Sequence, residues 1–190
     1  MDKMNSDQTN DFRRYYPPRH ELKKMNGFDF FISADESVIY KKNNFSNPKF
    51  HEMVNTKEKR AIFSKILDCS VLSDELKPHV CIGYDLEEDG SYKSEFIHGF
   101  RLDLLKDYSL DASAVAAIKE QCTVLLSQMA VVNSKNQLIG DWALHNLVFS
   151  LKYKRIINID LEGFLLYDPI QEWADYDTIE GWLSNIEIAS

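Results

Sequence analysis

The sequence predicts an α+β protein, and three observations predict it. Short β-prone runs and one helix follow each other in the order β-β-α-β-β through the first half, a long amphipathic helix occupies the middle, and a strand pair comes after it. With 190 residues, 44% hydrophobic and 27% charged, the chain is large enough to bury a core and close to the globular average, which argues against disorder and fibrous repeats.

Residues 1–26 are polar, carry the pairs Arg13-Arg14, Tyr15-Tyr16 and Pro17-Pro18, and hold no sustained period, so they read as a flexible N-terminal arm. Phe28 to Ser33 and Val38 to Lys42 are β-prone and flank Ala34-Asp35-Glu36-Ser37, which predicts a hairpin. After a polar loop through Pro48, Asn55 with Glu58 three residues on predicts a capping box. The helix it opens runs to about Leu67, with Ala61, Ile62 and Ile66 on its apolar face.

His79 to Tyr84 and Ser91 to Ile97 read as strands joined by the acidic turn 85–90. Asp111 caps the clearest helix, in which Val115, Ile118, Cys122, Leu125, Met129 and Val132 recur at alternating steps of three and four. Leu147 to Leu151 and Arg155 to Ile159 predict a hairpin around Lys152-Tyr153-Lys154, and the last twenty residues, with Trp173 and Trp182, read as helical.

The net charge of −8 argues against a sequence-independent grip on nucleic acid phosphates. Charge is uneven: residues 1–80 hold 14 basic and 12 acidic residues, and residues 81–190 hold 8 and 18. The charged N-terminus differs from a signal peptide, and no stretch reads as the roughly 18 apolar residues of a membrane span. Cys69, Cys81 and Cys122 contain no C-x-x-C pair, so reduced thiols in a cytoplasmic protein are expected, without structural zinc.

Chemistry concentrates between residues 139 and 164. If 147–151 pairs with 155–159 around a three-residue turn, residue 147 faces 159, and Asn146 and Asp160 emerge side by side at the open end. Asp141 lies five residues before Asn146, so two carboxylates and an amide oxygen converge. Hard oxygen donors of this kind suit Mg²⁺, which keeps much of its water, while a further acid nearby can orient a hydroxyl. His145, without a His or Cys partner in sequence, reads as structural.

Gly140-Asp141, Asn146 and Ile159-Asp160-Leu161-Glu162 resemble the "G-D-x-x-x-x-N…I-D-x-E" pattern of the protein-kinase-like superfamily, in its aminoglycoside phosphotransferase and choline kinase branch. Tyr167-Asp168-Pro169 resembles that branch's Gly-Asp-Pro. Ser94 to Leu102 resembles its hinge, "E-Y-I-x-G-x-x-L". The resemblance implies a two-lobed fold: an N-lobe over 27–102 with a small antiparallel sheet, and a reduced, mainly helical C-lobe over 103–190.

It also implies ATP and Mg²⁺, with Asp141 as catalytic Asp, Asn146 and Asp160 as metal ligands and Glu162 as an accessory. Lys42, or less favourably Lys41, would grip phosphates and pair with Glu58 or Glu52; Glu95, Phe96 and Ile97 would offer backbone to adenine. The implied activity is transfer of the γ-phosphoryl group to a hydroxyl of a small molecule or saccharide. Three features depart from the pattern: the turn 34–37 has two acids and no glycine, Ile139 and Ala143 replace basic positions, and only about thirty residues follow Asp160. They support an alternative, a non-catalytic binding module of the same fold, and leave room for a protein partner or self-association completing the C-lobe. An unrelated α+β domain with coincidental Asp and Asn spacing is the third reading.

Overall fold

The computed structural model describes residues 12–15, 27–135, 137, 140–166 and 181. They fall into two compact units, Met1–Asp68 with Ile82–Phe96 and Cys69–Cys81 with Ile97–Ser190. The chain passes to the second unit after Asp68, returns to the first after Cys81 and passes to the second again after Phe96. Cys69–Cys81 joins the second unit because the Cys81 N–H donates to the Asn158 carbonyl (3.0 Å), beside a parallel bridge of Val80 with Asn158.

The first unit is a five-stranded antiparallel sheet, β1 (Phe12–Tyr15), β2 (Phe28–Ser33), β3 (Val38–Asn43), β4 (Gly83–Tyr84) and β5 (Tyr92–Glu95), in the order β1-β2-β3-β5-β4. Its helices are α1 (Pro48–Val54) and α2 (Lys57–Leu67). β1 lies within the segment that its polarity assigned to an arm. Phe12 and Tyr15 meet Tyr40 and Phe96 edge-on, while Arg14 bonds Asp29 (3.1 Å) and Arg13 bonds Glu36.

The helix starts also differ from expectation. Asn47 caps α1, with Pro48 in its first turn, where a loop was predicted. Asn55 ends that helix, and Thr56, accepting from the Lys59 N–H (3.3 Å), caps α2 in place of the Asn55–Glu58 box. Phe28, Phe50, Phe63 and Tyr92 close a ring of edge-to-face contacts with centroids 4.8–5.9 Å apart, which fastens both helices to the sheet.

The second unit has a three-stranded antiparallel sheet, β6 (Gly99–Arg101), β7 (Leu147–Ser150) and β8 (Ile156–Asn158), with α3 (Ala112–Ser134) against β8 and a short α4 (Gly163–Leu166). Gly99 is required by space: a Cβ there would lie 1.9 Å from the Phe149 carbonyl oxygen. Asp111 caps α3, and five of the six periodic residues, Ile118 to Val132, are buried with Leu126; Val115 is half-buried. By length and composition alone α3 is apolar enough to cross a membrane, and one side of it carries the buried stripe Ile118, Cys122, Leu125, Leu126, Met129 and Val132. All three cysteines are free and buried, and burial pushes the Cys122 thiol up to about 12. The expected C-terminal helix, with Trp173 and Trp182, and the Asp168-Pro169 pair lie outside the described residues.

Candidate functional site

The candidate site lies in the second unit, where the loops flanking β7 and β8 meet. The register differs by one from expectation: Leu147 faces Asn158, and the Ile159 N–H donates to the Asn146 carbonyl (2.9 Å). Ser150 bonds Arg155 and Lys154 takes a positive φ, so the turn holds four residues, 151–154, rather than three. Asn146 and Asp160 are nevertheless neighbours, with Asn146 Nδ2 donating to Asp160 Oδ2 at 3.3 Å.

Asp141 follows Gly140, which sits at φ +102° with its Cα against the Phe164 ring; a Cβ would lie 2.4 Å from that ring. Trp142, fully buried, packs edge-on to Phe164 (5.6 Å) and pins the loop, and Asp141 Oδ1 accepts the Ala143 N–H (3.0 Å). Gly163 marks the point where the acids converge. A Cβ on it would be 2.7 Å from Asp160 Oδ2 and 2.8 Å from the Asp141 Cβ. Glu162 is buried beside it.

Asn158 is the residue that the sequence reading missed. Its Nδ2 donates to the Asp141 carbonyl (2.7 Å) and its Oδ1 accepts the Asp160 N–H (2.9 Å), so one buried amide ties the two loops. The signal was an Asn inside the apolar run Ile156-Ile157-Asn158-Ile159, because a polar side chain on a buried strand needs partners.

The donors fit a hard cation. Asp160, Asn146 and Glu162 would offer carboxylate and amide oxygens, although among the described residues no three His, Cys, Asp or Glu side chains group closely enough to hold a metal by themselves, so nucleotide oxygens or water would have to complete the shell. The Asn146 amide turns its nitrogen to Asp160, as a carboxylate demands; rotation by half a turn presents Oδ1 instead. His145, expected to be structural, is exposed.

The residues expected in the N-lobe stand apart from this. Lys42 is exposed on β3, opposite Asp29, and Glu58 is exposed at the start of α2, its carboxyl held low by its own backbone N–H and the Thr56 hydroxyl. Among the described residues neither Lys42 with Glu58 nor Lys42 with Glu52 forms an ion pair. Lys41 is the buried lysine, its Nζ over the rings of Phe30 (5.9 Å) and Tyr92 (5.4 Å), directly across both neighbouring strands.

Two of the expected hinge donors are committed to the first unit's own backbone. The Glu95 N–H donates to Ile82 (3.2 Å) and the Phe96 N–H to Ser37 (2.9 Å); Ile97 is buried. The turn 34–37 is likewise closed on itself. Asp35 accepts from Ser33 Oγ (2.6 Å), Ser37 Oγ (2.8 Å) and Ser37 N–H (3.1 Å), which holds its carboxyl down to about 2. The Glu36 and Val38 N–H groups donate to the Ser33 carbonyl and hydroxyl.

An antiparallel sheet unit with two helices, followed by a unit whose hairpin carries Asp, Asn and Asp, is a protein-kinase-like α+β fold. Its solved neighbours include the streptomycin-ATP-APH(2'')-IIa ternary complex, similar over 100% of this chain and 86% of that one, at a TM-score of 0.50 and 10% identity. PpkA-294 in its apo form is similar over 88% of this chain and 53% of that one, at a TM-score of 0.40 and 16% identity. No family model and no curated protein matches the chain.

Proposed function

We propose that this protein is a kinase-like phosphotransferase that moves the γ-phosphoryl group of ATP to a hydroxyl of a small molecule or saccharide, with Mg²⁺. The observation that carries the reading is Asp160, bonded by Asn146 and lying at Gly163 beside the Asp141 Cβ, within a kinase-like fold. Asp160 and Asn146 would hold the metal, with Glu162 as accessory. Mg²⁺ held there would supply positive charge to offset the negative charge developing on the transferring phosphoryl group. Asp141, set by its Asx-type bond to Ala143, orients the acceptor hydroxyl and takes its proton. Its neighbour Trp142 keeps that face of the loop dry.

A second reading, a nucleotide-independent binding module of the same fold, is favoured by the β2–β3 turn. The N–H groups of Glu36, Ser37 and Val38, which a glycine-rich loop would offer to phosphate, already have acceptors. Thermal unfolding with and without Mg²⁺ and ATP separates the two, because a ligand bound only by the folded state stabilises it by about 2.7 kcal/mol at a hundred times its Kd. The enzyme reading expects a metal-dependent rise that Asp160→Asn abolishes. No rise in the parent chain overturns it in favour of the binding module.

A further inference from the structure

We propose that Asn158 is a positioning residue that holds Asp160 in place against the Asp141 loop, and through Asp160 sets the affinity of the site for a divalent cation. The proposal rests on the metal-site reading above. Asn158 ends β8 and is fully buried. Its backbone is held from two sides: β7 pairs with it through Leu147, and the Cys81 N–H donates to its carbonyl (3.0 Å). The amide therefore projects from a fixed post.

From that post it reaches two main-chain groups belonging to the two acids. Nδ2 donates to the Asp141 carbonyl at 2.7 Å, and Oδ1 accepts the Asp160 N–H at 2.9 Å. Only one orientation of the amide works, because turning it over would set oxygen against carbonyl and NH₂ against N–H. The group is planar, so donor and acceptor directions are fixed together, and neither loop can shift along the other without losing a bond. A buried donor or acceptor left without its partner carries a full desolvation cost, which makes the intermediate positions unfavourable.

The consequence for the site is geometric. Asp160 and Asp141 flank one point at Gly163, where less than one carbon's clearance remains. Asn146 adds a weaker tie, through its carbonyl to Ile159 (2.9 Å) and its amide to Asp160 (3.3 Å). The Asn146 side chain must let go of Asp160 for its oxygen to face a cation, so it cannot hold Asp160 in place at the same time. Asn158 bonds backbone alone and keeps both bonds when a cation arrives. Partners that orient metal ligands in this way typically change affinity by about 10- to 100-fold when removed.

The test uses the full chain with Mn²⁺ and ATP, the bound Mn²⁺ being read by electron paramagnetic resonance beside thermal unfolding. Asn158→Ser shortens the side chain so that it no longer spans both loops, and admits water to the released groups. The expected result is a folded variant whose Mn²⁺ affinity falls about tenfold and whose Mn²⁺ line shape changes, with Asp160→Asn losing the bound signal. A folded Asn158→Ser with parental affinity and line shape, beside an Asp160→Asn that loses metal, overturns the positioning role and leaves the metal-site reading standing. A parent chain that binds no Mn²⁺ with ATP overturns both. If Asn158→Ser does not fold, the parent decides. Its Asn158 side-chain NH₂ protons, assigned by NMR, should exchange slowly and shift on adding Mg²⁺ and ATP; fast exchange or an unmoved signal overturns the proposal.

Discussion

The β2–β3 turn of the first unit and the loops around β7 and β8 of the second both gather aspartate, and they use it in opposite ways. In the turn, Asp35 is the fastener: three hydrogen bonds from Ser33 and Ser37 converge on its carboxylate. In the loops the fastening between Asp141 and Asp160 is done by a neutral amide, Asn158, bonding backbone groups. Asp35 collects all three bonds within its own turn, whereas Asp141 and Asp160 accept from the Ala143 N–H and from Asn146 Nδ2 and are tied to each other through Asn158. Under the enzyme reading, the first acidic cluster is structural and the second is the one that meets the ligand.

The strongest way to break the contrast is to remove the acid that it marks as chemical. Asp141→Asn should leave stabilisation by Mg²⁺ and ATP intact and lower phosphoryl transfer by about 10²- to 10⁴-fold, the span of general base catalysis. The measurement is nucleotide binding beside turnover, once a hydroxyl acceptor is found by screening. Equal turnover in both proteins would place the chemistry elsewhere. Next in size is Gly163→Ala. Its methyl group would sit 2.7 Å from Asp160 Oδ2, so the carboxylate or the loop must move, at about 1–3 kcal/mol. Urea unfolding should show the loss, and the stabilisation by Mg²⁺ and ATP should shrink with it.

What the sequence disclosed, and what it hid, follows the same division. Asn146 and Asp160 were legible as neighbours because both flank a short hairpin, and that proximity survived a register error of one residue. Asp111 and the period of α3 were legible because both are local. α1 was hidden although its signal was present: Asn47-Pro48 is an N-cap followed by a first-turn proline, and the same pair also reads as a loop. Lys41 and Lys42 were not separable, because Ile39, Tyr40 and Lys41 are all buried and the strand lacks the alternation that would assign faces. Asn158 was legible as a polar residue in an apolar run, but its partners were not, since they are set by two loops meeting across a hairpin.

A smaller effect tests the first unit's side of the contrast. Asp35→Gly removes one negative charge and releases the Ser37 N–H from its acceptor. Under the enzyme reading ATP should bind more tightly, by up to about tenfold, the worth of one hydrogen bond to a charged group. An unchanged affinity, measured by titration calorimetry, would mean that this turn takes no part in holding phosphate.

The smallest effect distinguishes the two units by the pH at which each responds. Both Asp35 and His79 bind protons less readily in the folded chain, so in both cases the unfolded state gains protons first and stability falls as pH drops. For Asp35 the loss begins below the ordinary value of 3.8 and is complete near its folded value of about 2. For His79 burial is the main cause of the lowering, opposed by the Nδ1 bond to the Ile156 carbonyl (2.8 Å). Its contribution is fully present above the ordinary value of 6.5 and declines as pH falls below it. Melting temperature recorded between about pH 8 and pH 5 should therefore slope downward in the parent and flatten in His79→Gln, because the glutamine does not titrate. Asp35→Asn should leave that slope alone and alter only the strongly acid limb. A slope that survives His79→Gln would assign the neutral-range response to another histidine and leave His79 a packing residue.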